Sequence, residues 1–412
     1  MVDKNPINVF SEIGKLKKVL LHRPGEELNN LAPEYLSRLL FDDTPFLEVA
    51  QKEHDAFAKT LTKLGAEVVY VEDLVAESLK NTTVKEEFIK KFIKESDIIS
   101  IHKADALINY FLSFSTKDMV NKMIAGVFKD DIKHYKQQSL SSLVDYAYPF
   151  LCDPLPNLLF QRDPFSTIGH GISLHHMHTP TRRRETIFAE YIFKYHKDYA
   201  NNNTPLYYNR DLDNSIEGGD ILVLSENTLI VGISERTDPA AVDTLARNIF
   251  AKNSSFTTII GLKIPSSRAF MHLDTVFTHI DHTTFTIHPE VENPLNIYRL
   301  TKDNNNDYGV KIIPEKITLV EILKECVGKD ITLIRCAGGN LFHAAKEQWN
   351  DGTNTLAVAP GEVIVYDRNV LTNKILQEHG IKTHVIPSSE LSRGRGGPRC
   401  MSMPLVREKL KK

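Results

Sequence analysis

The sequence predicts an α/β fold assembled from about five copies of one unit, in which a β-hairpin is followed by a helix and a third strand. Asp163, Asp220 and Asp274 stand 57 and 54 residues apart, each near the start of such a unit. Between Val71 and Asp153 this pattern gives way to apolar residues at helical spacing. A unit of this kind cannot bury its own faces, so we expect the copies to pack against one another, and five of them can close into a ring.

The first unit is interrupted by the helical segment. A strand over residues 18–21, a helix over 45–64 and a strand over 67–71 are predicted for this unit. Within the interruption, residues 84–93 place apolar side chains on one face of a helix, and further helices are predicted over 105–114, 115–127 and 140–146. We therefore predict an all-helical insertion domain over 74–151, set into an α/β domain formed by 1–73 and 152–412.

The other four units follow in order along the chain. The second has strands around Ser166 and Ile172, joined by Gly-His-Gly, and a helix over 184–195. In the third, Glu-Gly-Gly-Asp from Glu217 precedes strands over 221–224, 228–233 and 257–260 and a helix over 238–250. The fourth has strands over 275–279, 285–288 and 331–335 and a helix over 317–326. The fifth has strands over 355–358, 363–366 and 382–386 and a helix over 370–379, which Gly380 ends.

Composition excludes several classes of protein. The 412 residues are 42% hydrophobic and 25% charged, as in a soluble globular protein. The net charge of -3 gives no basic field for nucleic acid. The N-terminus has no pattern of a signal peptide, and no apolar run approaches the roughly 18 residues of a membrane helix. We expect a cytoplasmic protein that binds neither nucleic acid nor membrane and that forms a homo-oligomer.

Cysteine and histidine usage disfavours a disulfide scaffold or a metal site. The four cysteines, Cys152, Cys326, Cys336 and Cys400, include no CxxC pair. His175, His176 and His178 form the densest histidine cluster, but no cysteine or carboxylate is spaced to complete a ligand set. We expect no metal and no cofactor.

Polar residues recur where the units begin. Asp163 stands at the start of the second unit, Glu217 and Asp220 at the start of the third, and His272 and Asp274 at the start of the fourth. Taken singly, each acid could merely start a turn or cap backbone amides. Arranged around an axis, these side chains would converge at one end of the ring. We further expect His272 and Asp274, two residues apart on a strand, to point the same way.

Cys400 lies in a loop-like run over residues 391–404 that is rich in glycine and arginine. A free cysteine is often only a small buried hydrophobe. With a histidine nearby it becomes a nucleophile with a general acid and base, and an acid such as Glu217 could hold His272 protonated. Two further carboxylates would raise the pKa of the thiol, which makes sense if the substrate is a cation such as a planar guanidinium. Arg182, Arg236 and Arg395 would then suit a carboxylate on the same substrate.

Four motifs carry a resemblance to a known family. Asn-Leu-Leu-Phe-Gln-Arg-Asp-Pro-Phe from Asn157, Glu-Gly-Gly-Asp from Glu217, His-Leu-Asp-Thr-Val-Phe from His272 and Cys-Met-Ser-Met-Pro from Cys400 resemble the signatures of arginine deiminases, in the guanidino-group modifying enzyme superfamily. The likeness runs through nearly the whole chain, including the helical insertion.

The resemblance implies a fold, a reaction and a set of roles. The fold would be a five-bladed, pseudo-symmetric α/β propeller, and the reaction would convert L-arginine to L-citrulline and ammonia through a covalent thiouronium on Cys400, with no cofactor. His272 would act as acid and base, Asp163 and Asp274 would hold the guanidinium, and Glu217 would support His272. Contacts to the amino-acid end of the substrate would come from Asn157, Phe160, Arg182, Arg236 and Arg395.

Other readings of the sequence stay open at this point. An enzyme of the same scaffold could act on agmatine, on methylated arginine or as an amidinotransferase, and a catalytically silent ring could bind a ligand. Arg399 could lower the pKa of Cys400 or face solvent. The loop over residues 391–399 could move as a gate or form a rigid surface loop.

Overall fold

The structure, a computed structural model, describes residues 5–98, 100–132, 148–200, 204–252, 254–265, 270–292, 295–305 and 308–410. The strands in these ranges are β1 (Leu16–Leu21), β2 (Glu67–Tyr70), β3 (Val127–Phe128), β4 (Phe150–Cys152), β5 (Phe165–Ile168), β6 (Gly171–Leu174), β7 (Leu206–Tyr208), β8 (Ile221–Val223), β9 (Thr228–Ile233), β10 (Thr258–Lys263), β11 (Phe277–Asp281), β12 (Thr284–Ile287), β13 (Asn296–Lys302), β14 (Val310–Glu315), β15 (Thr332–Arg335), β16 (Leu356–Ala359), β17 (Glu362–Tyr366), β18 (Lys382–Ile386) and β19 (Met403–Arg407).

The α-helices in the same ranges are α1 (Glu26–Asn29), α2 (Leu36–Leu39), α3 (Leu47–Lys63), α4 (Val71–Ser78), α5 (Thr82–Lys94), α6 (Ile101–Leu112), α7 (Thr116–Ala125), α8 (Glu185–Tyr195), α9 (Pro239–Ala251), α10 (Leu273–Val276), α11 (Leu319–Val327), α12 (Leu341–Gln348) and α13 (Val370–Glu378). None of these helices is long and apolar enough to cross a membrane.

Five of the sheets in the described ranges share one topology, which confirms the predicted repeat. Their strand orders are β19-β1-β2, β5-β6-β7, β8-β9-β10, β11-β12-β15 and β16-β17-β18, and we call them units 1 to 5. In each unit the first two strands are antiparallel and the third is parallel to the second. Parallel neighbours require a long crossover, and α3, α8, α9, α11 and α13 supply it in turn.

Unit 1 is completed by the C-terminal strand. β19 pairs antiparallel with β1, so the two ends of the chain lie side by side in one sheet. The sequence indicated neither this pairing nor the hairpin of β13 and β14, which extends the sheet of unit 3. The run over 391–404 is therefore loop only up to Ser402, apart from a 3₁₀ turn at Leu391–Gly394.

The unit 3 core shows why these residues form these elements. Asp238 caps α9 through the N–H of Ala240, and Pro239 occupies the first helical turn. Ala241, Leu245 and Ile249, four residues apart along α9, are buried with apolar side chains of β9 and β10. This one-sided apolar stripe fixes which face of the helix covers the sheet.

Neighbouring units contact one another. β19 contacts β5, β16 contacts both β1 and β11, and α10 contacts β8. The N–H of Gly218, at the start of unit 3, donates to the carbonyl of Asp163, at the start of unit 2. Each unit therefore contacts the next, and unit 5 contacts unit 1.

The insertion is mainly helical, but the prediction that it is all-helical is wrong. α4 to α7 are followed by a two-stranded pairing of β3 with β4, and the predicted helix over 140–146 lies outside the described residues. Phe88 and Phe92 pack edge-on against Phe188 of α8 at centroid distances of 5.6 and 6.4 Å. The insertion thus shares its apolar core with unit 2.

A second correction concerns the start of unit 4. The predicted strand over 275–279 begins only at Phe277, because Leu273–Val276 form one helical turn with His272 at its N-terminal end. Gln348 and Thr353 both donate hydrogen bonds to the carbonyl of Thr275, which hold this turn in place. The expected strand alternation of His272 and Asp274 therefore does not apply.

Candidate active site

The candidate site residues occupy the same position in successive units, just before the first strand. Asp163 precedes β5, Glu217 precedes β8, His272 and Asp274 precede β11, and Cys400 precedes β19. All five side chains are buried. The candidate nucleophile is thus the unit 1 counterpart of the acids that sequence reasoning singled out.

A cavity of about 230 Å³ opens among these loops. Eight of the ten predicted site residues line it: Asn157, Phe160, Asp163, Arg182, Arg236, His272, Arg395 and Cys400. The other two, Glu217 and Asp274, are fully buried and contact His272 and Cys400 respectively. The structure therefore brings all ten residues into one region.

His272 is held between two carboxylates. Its Nε2 lies 2.7 Å from Oε2 of Glu217, and its Nδ1 lies 3.8 Å from Oδ1 of Asp163. Burial alone would lower the pKa of His272, but Asp163 and Glu217 raise it to about 9. Burial would raise the pKa of Glu217, yet the hydrogen bond and charge of His272 lower it below its usual range. His272 is therefore an imidazolium at neutral pH.

Cys400 lies in an acidic environment. Its Sγ is 3.6 Å from Oδ2 of Asp274. Burial raises the pKa of the Cys400 thiol well above its usual range, and the charges of Asp274 and Asp163 raise it further. Arg399 acts in the opposite direction without cancelling these effects. The free thiol is therefore protonated at neutral pH.

Arg399 does not face solvent. It is buried, and its Nη1 donates to Oδ2 of Asp274 at 2.6 Å, while its Nε donates to Oε2 of Glu12 at 3.2 Å. Burial would raise the pKa of Glu12, but Arg399, Arg162 and Arg407 lower it from 4.5 to about 2. Glu12 thus holds Arg399 against the carboxylate that faces the thiol.

Each of the two predicted guanidinium-binding carboxylates is fixed by one oxygen only. Oδ2 of Asp163 accepts from Arg182 at 2.9 Å, and Oδ2 of Asp274 accepts from Arg399. Among the described residues, neither Oδ1 atom has a hydrogen-bond partner, although both are buried. A buried carboxylate oxygen without a hydrogen-bond donor costs free energy. The two Oδ1 atoms are therefore suited to accept hydrogen bonds from a ligand.

Arg182 is placed to orient Asp163. Besides that bond, its Nη2 donates to Oε2 of Glu185 at 2.9 Å, and its Nη1 lies 3.8 Å from Oε2 of Glu217. Burial would lower the pKa of Arg182, but Glu185 and Asp163 raise it above its usual range. The guanidinium is engaged by three acids, which favours an internal role over contact with a substrate carboxylate.

The remaining predicted contacts also line the cavity. Asn157 donates to the carbonyl of Leu39 at 2.7 Å, and Phe160 stacks with Phe41. Nη2 of Arg236 lies 3.9 Å from Sδ of Met271, and within the described ranges its buried Nε has no hydrogen-bond partner. The Cζ of Arg395 lies 3.6 Å from the centroid of the Trp349 ring.

The loop over 391–399 is not a surface loop. All of its residues except the exposed Arg393 are buried. A side chain at Gly396 would come within 2.2 Å of Phe160, and one at Gly397 within 2.6 Å of the carbonyl of Asn354. Glycine at these positions therefore lets the backbone pass close to the cavity wall.

Sequence reasoning missed several residues of the site. Asn354 accepts from the N–H of Cys400 at 3.0 Å and donates to the carbonyl of Asp274 at 3.0 Å. It stands just before β16, so the repeat could have identified it as the unit 5 member of the series. Glu12, Glu185 and Trp349 carried no comparable signal.

Two groups of residues contain side chains of the types that bind metals. Asp163, Glu217 and His272 offer atoms within 4.8 Å of one another, but Arg182 and the imidazolium of His272 already neutralise these carboxylates. In the histidine cluster, Nδ1 of His175 contacts the carbonyl of Asp163 and Nδ1 of His176 that of Arg210. Both arrangements serve internal hydrogen bonding.

Solved structures share this fold at low sequence identity. An amidinotransferase from Microseira wollei matches with a TM-score of 0.56 at 15% identity, covering 98% of each chain. A DDAH from Pseudomonas aeruginosa in complex with citrulline matches with a TM-score of 0.52 at 12% identity, covering 94% of this chain and 99% of that one. The chain therefore has an α/β fold similar to that of guanidino-modifying enzymes.

Sequence comparison is more specific. The family model of arginine deiminase matches residues 37–407. The arginine deiminase of Borrelia duttonii is 58% identical over 404 residues, which are 98% of both chains. That of Clostridium perfringens is 57% identical over 413 residues, or 100% of both chains. The chain belongs to the arginine deiminase family.

Proposed function

We propose that this chain hydrolyses L-arginine to L-citrulline and ammonia, with Cys400 as the nucleophile. The observation that carries the proposal is the pair of buried Oδ1 atoms, of Asp163 and Asp274, that lack donors beside a thiol and an imidazolium. A guanidinium offers donors in a planar fork that two carboxylates can accept.

Substrate binding would also ionise the nucleophile. The acids around Cys400 hold the thiol protonated, and a guanidinium bound to Asp163 and Asp274 neutralises them. The pKa of the thiol then falls and its proton passes to solvent. Reactivity is thereby restricted to the complex with a cation.

In the first half of the reaction, the thiolate attacks the guanidinium carbon and a C–S bond forms. The leaving nitrogen takes a proton from Nδ1 of His272, the ring nitrogen that does not contact Glu217. The C–N bond breaks, ammonia departs, and a thiouronium remains on Cys400. Glu217 keeps the imidazole oriented throughout.

In the second half, neutral His272 removes a proton from water, and the hydroxide attacks the same carbon. The C–S bond breaks, the proton of the added hydroxyl passes to the departing sulfur, and the ureido group of citrulline is complete. Cys400 is thereby restored as a thiol and His272 as an imidazolium. Over both halves, one arginine and one water give one citrulline and one ammonia, so no oxidant or other co-reactant is required.

The amino-acid end of arginine would lie on the opposite side of the cavity. Arg236 and Arg395 supply positive charge there, and Asn157 and Phe160 form the adjoining wall. Arg182 is better placed to orient Asp163. A substrate with a carboxylate is therefore favoured over agmatine, which lacks that group.

We also propose that the five units form a five-bladed propeller around the site. Support comes from the shared topology of the units and from the contacts that link each unit to the next and the fifth to the first. The division into an α/β domain (1–73 and 152–412) and an insertion domain (74–151), the cytoplasmic location and the homo-oligomer stay proposals from the sequence.

A citrulline and ammonia assay on arginine, agmatine and N-methylarginine tests the function. We expect equal amounts of citrulline and ammonia from arginine, and no product from the Cys400→Ala variant with its fold intact. An amidinotransferase would form no free ammonia, and a silent ring would leave arginine unchanged; either result would overturn the proposal.

A further inference from the structure

Arg395 reaches the cavity with its guanidinium against the ring of Trp349. The Cζ atom lies 3.6 Å from the ring centroid, and Arg395 is buried whereas Trp349 is 54% exposed. A guanidinium at this distance gains cation–π and stacking energy. The Trp349 ring thus covers one face of the guanidinium. The N–H donors of the guanidinium lie in its plane and point outward along it.

The backbone around Arg395 is constrained. Its φ of 61° lies in the left-handed region, which a non-glycine residue keeps only where its surroundings hold it. A side chain at Gly394 would come within 2.7 Å of Phe41, and one at Gly396 within 2.2 Å of Phe160. The loop is therefore seated on these two rings, and Arg395 extends from a fixed point.

Two acids interact electrostatically with this arginine. Nη1 of Arg395 is 3.5 Å from Oδ2 of Asp42. Burial raises the pKa of Asp351 to about 7, and the positive charge of Arg395 opposes that rise. Asp351 and Arg395 therefore interact electrostatically. A single contact of 3.5 Å to Asp42 lets the guanidinium tilt, whereas stacking on an aromatic face fixes its plane.

Trp349 does not itself line the cavity. It lies at the start of the segment that ends at Asn354, the residue that holds the N–H of Cys400. The same stretch of chain therefore supports Cys400, through Asn354, and Arg395, through Trp349.

We propose that Trp349 is a positioning residue that sets the preference for substrates with a carboxylate, by holding the plane of Arg395. The inference rests on the proposed function, since it assigns Arg395 to the carboxylate of arginine. Because Trp349 contacts Arg395 and does not line the cavity, its loss weakens binding of the amino-acid end and spares the chemical step.

Steady-state kinetics of three variants test this role. Trp349→Leu should raise KM for arginine about tenfold, the scale of one cation–π contact, with kcat within about twofold. Trp349→Phe keeps an aromatic face and should restore most of the affinity. Phe342→Leu removes an aromatic of α12, the helix that ends just before Trp349. Phe342 is 76% exposed, and this variant serves as the matched control. The inhibition constant of agmatine should be the same in all of them.

Fluorescence gives an independent readout, because Trp349 is the only tryptophan of the sequence. In a Cys400→Ala background, which prevents turnover, arginine should change the emission of Trp349 and agmatine should not. Thermal unfolding confirms that each variant is folded.

The outcomes separate the two proposals. A wild-type chain that forms no citrulline refutes the proposed function. A wild-type chain that forms citrulline, with Trp349→Leu keeping the wild-type KM for arginine, overturns the role of Trp349 alone. A loss of kcat without a change in KM overturns it as well, because it would place Trp349 in the chemical step.

Discussion

Cys400 faces the carboxylate of Asp274 across 3.6 Å, and the same carboxylate oxygen accepts a hydrogen bond from Arg399 at 2.6 Å. The thiol therefore sits beside a charge that an internal arginine neutralises only in part, and its pKa stays well above the usual range. Cysteine nucleophiles are commonly activated by positive surroundings. Here the missing positive charge matches that of the substrate.

The first prediction concerns the pH dependence set by Glu217. The pKa of His272, about 9, is raised by Asp163 and Glu217, and the protonated ring is the acid that ammonia release needs. Glu217→Gln should lower that pKa, because a charge-assisted hydrogen bond is replaced by a neutral one. The basic limb of the kcat/KM profile should move down by roughly 1–2 pH units.

The control for this variant is Glu185→Gln. It removes a neighbouring buried carboxylate that contacts Arg182 and makes no hydrogen bond to His272. We expect the basic limb of the kcat/KM profile to shift less in Glu185→Gln than in Glu217→Gln. An unmoved basic limb in Glu217→Gln would mean that another group supplies the proton.

The second prediction concerns Asn354, which joins the backbone of Cys400 to that of Asp274. Asn354→Ala leaves a buried N–H and a buried carbonyl without a partner, so the free energy of unfolding should fall by about 1–3 kcal/mol. Misplacement of the nucleophile should lower kcat by roughly 100-fold.

Asn373→Ala provides a comparison for this change, because Asn373 is also buried and donates to the carbonyl of Tyr366. It should cost similar stability and leave kcat near that of the wild type. Equal losses of kcat in both variants would show that Asn354 matters for stability alone.

The third prediction concerns stability in acid. The pKa of Glu12 is lowered from 4.5 to about 2 in the folded chain, so its charge stabilises the fold fully above pH 4.5, and this contribution is lost as the pH falls through 2. Glu12→Gln removes the carboxylate that the buried Arg399, Arg162 and Arg407 share and should cost about 3–5 kcal/mol near neutral pH.

Denaturant unfolding at a series of pH values measures this difference. The difference in free energy of unfolding between the wild type and Glu12→Gln should narrow as the pH falls below 4.5. Glu48→Gln, at an exposed position of α3, should show no gap at any pH. A gap that stays constant into acid would contradict the assigned pKa of Glu12.

Local pattern was enough to predict most of the units. The sequence predicts the strands Thr228–Ile233 and Lys382–Ile386 with their observed bounds, because β-branched residues and flanking turn residues mark both. The predicted strand over 275–279 begins two residues late, at Phe277, since hydrogen bonds from Gln348 and Thr353 hold the β-branched Thr275 and Val276 in a helical turn.

Long-range partners account for what the sequence left open. The pairing of β19 with β1 joins the two ends of the chain, and no local pattern encodes it. The orientation of Arg399 depends on Glu12, 387 residues away. The acids and the histidine of the site were predicted because the repeat places them at equivalent points, whereas their hydrogen bonds required the structure.

Ionisation of Cys400 by the charge of the bound substrate is tested most directly by the ultraviolet absorbance of the thiolate. The signal is the absorbance of the wild type minus that of Cys400→Ala, at a fixed neutral pH. Methylguanidinium supplies the positive charge of the substrate, and methylurea supplies its shape without the charge. Saturating methylguanidinium should increase the thiolate absorbance, and methylurea should not. Unchanged absorbance with methylguanidinium bound, shown by competitive inhibition, would contradict ionisation by the substrate's charge.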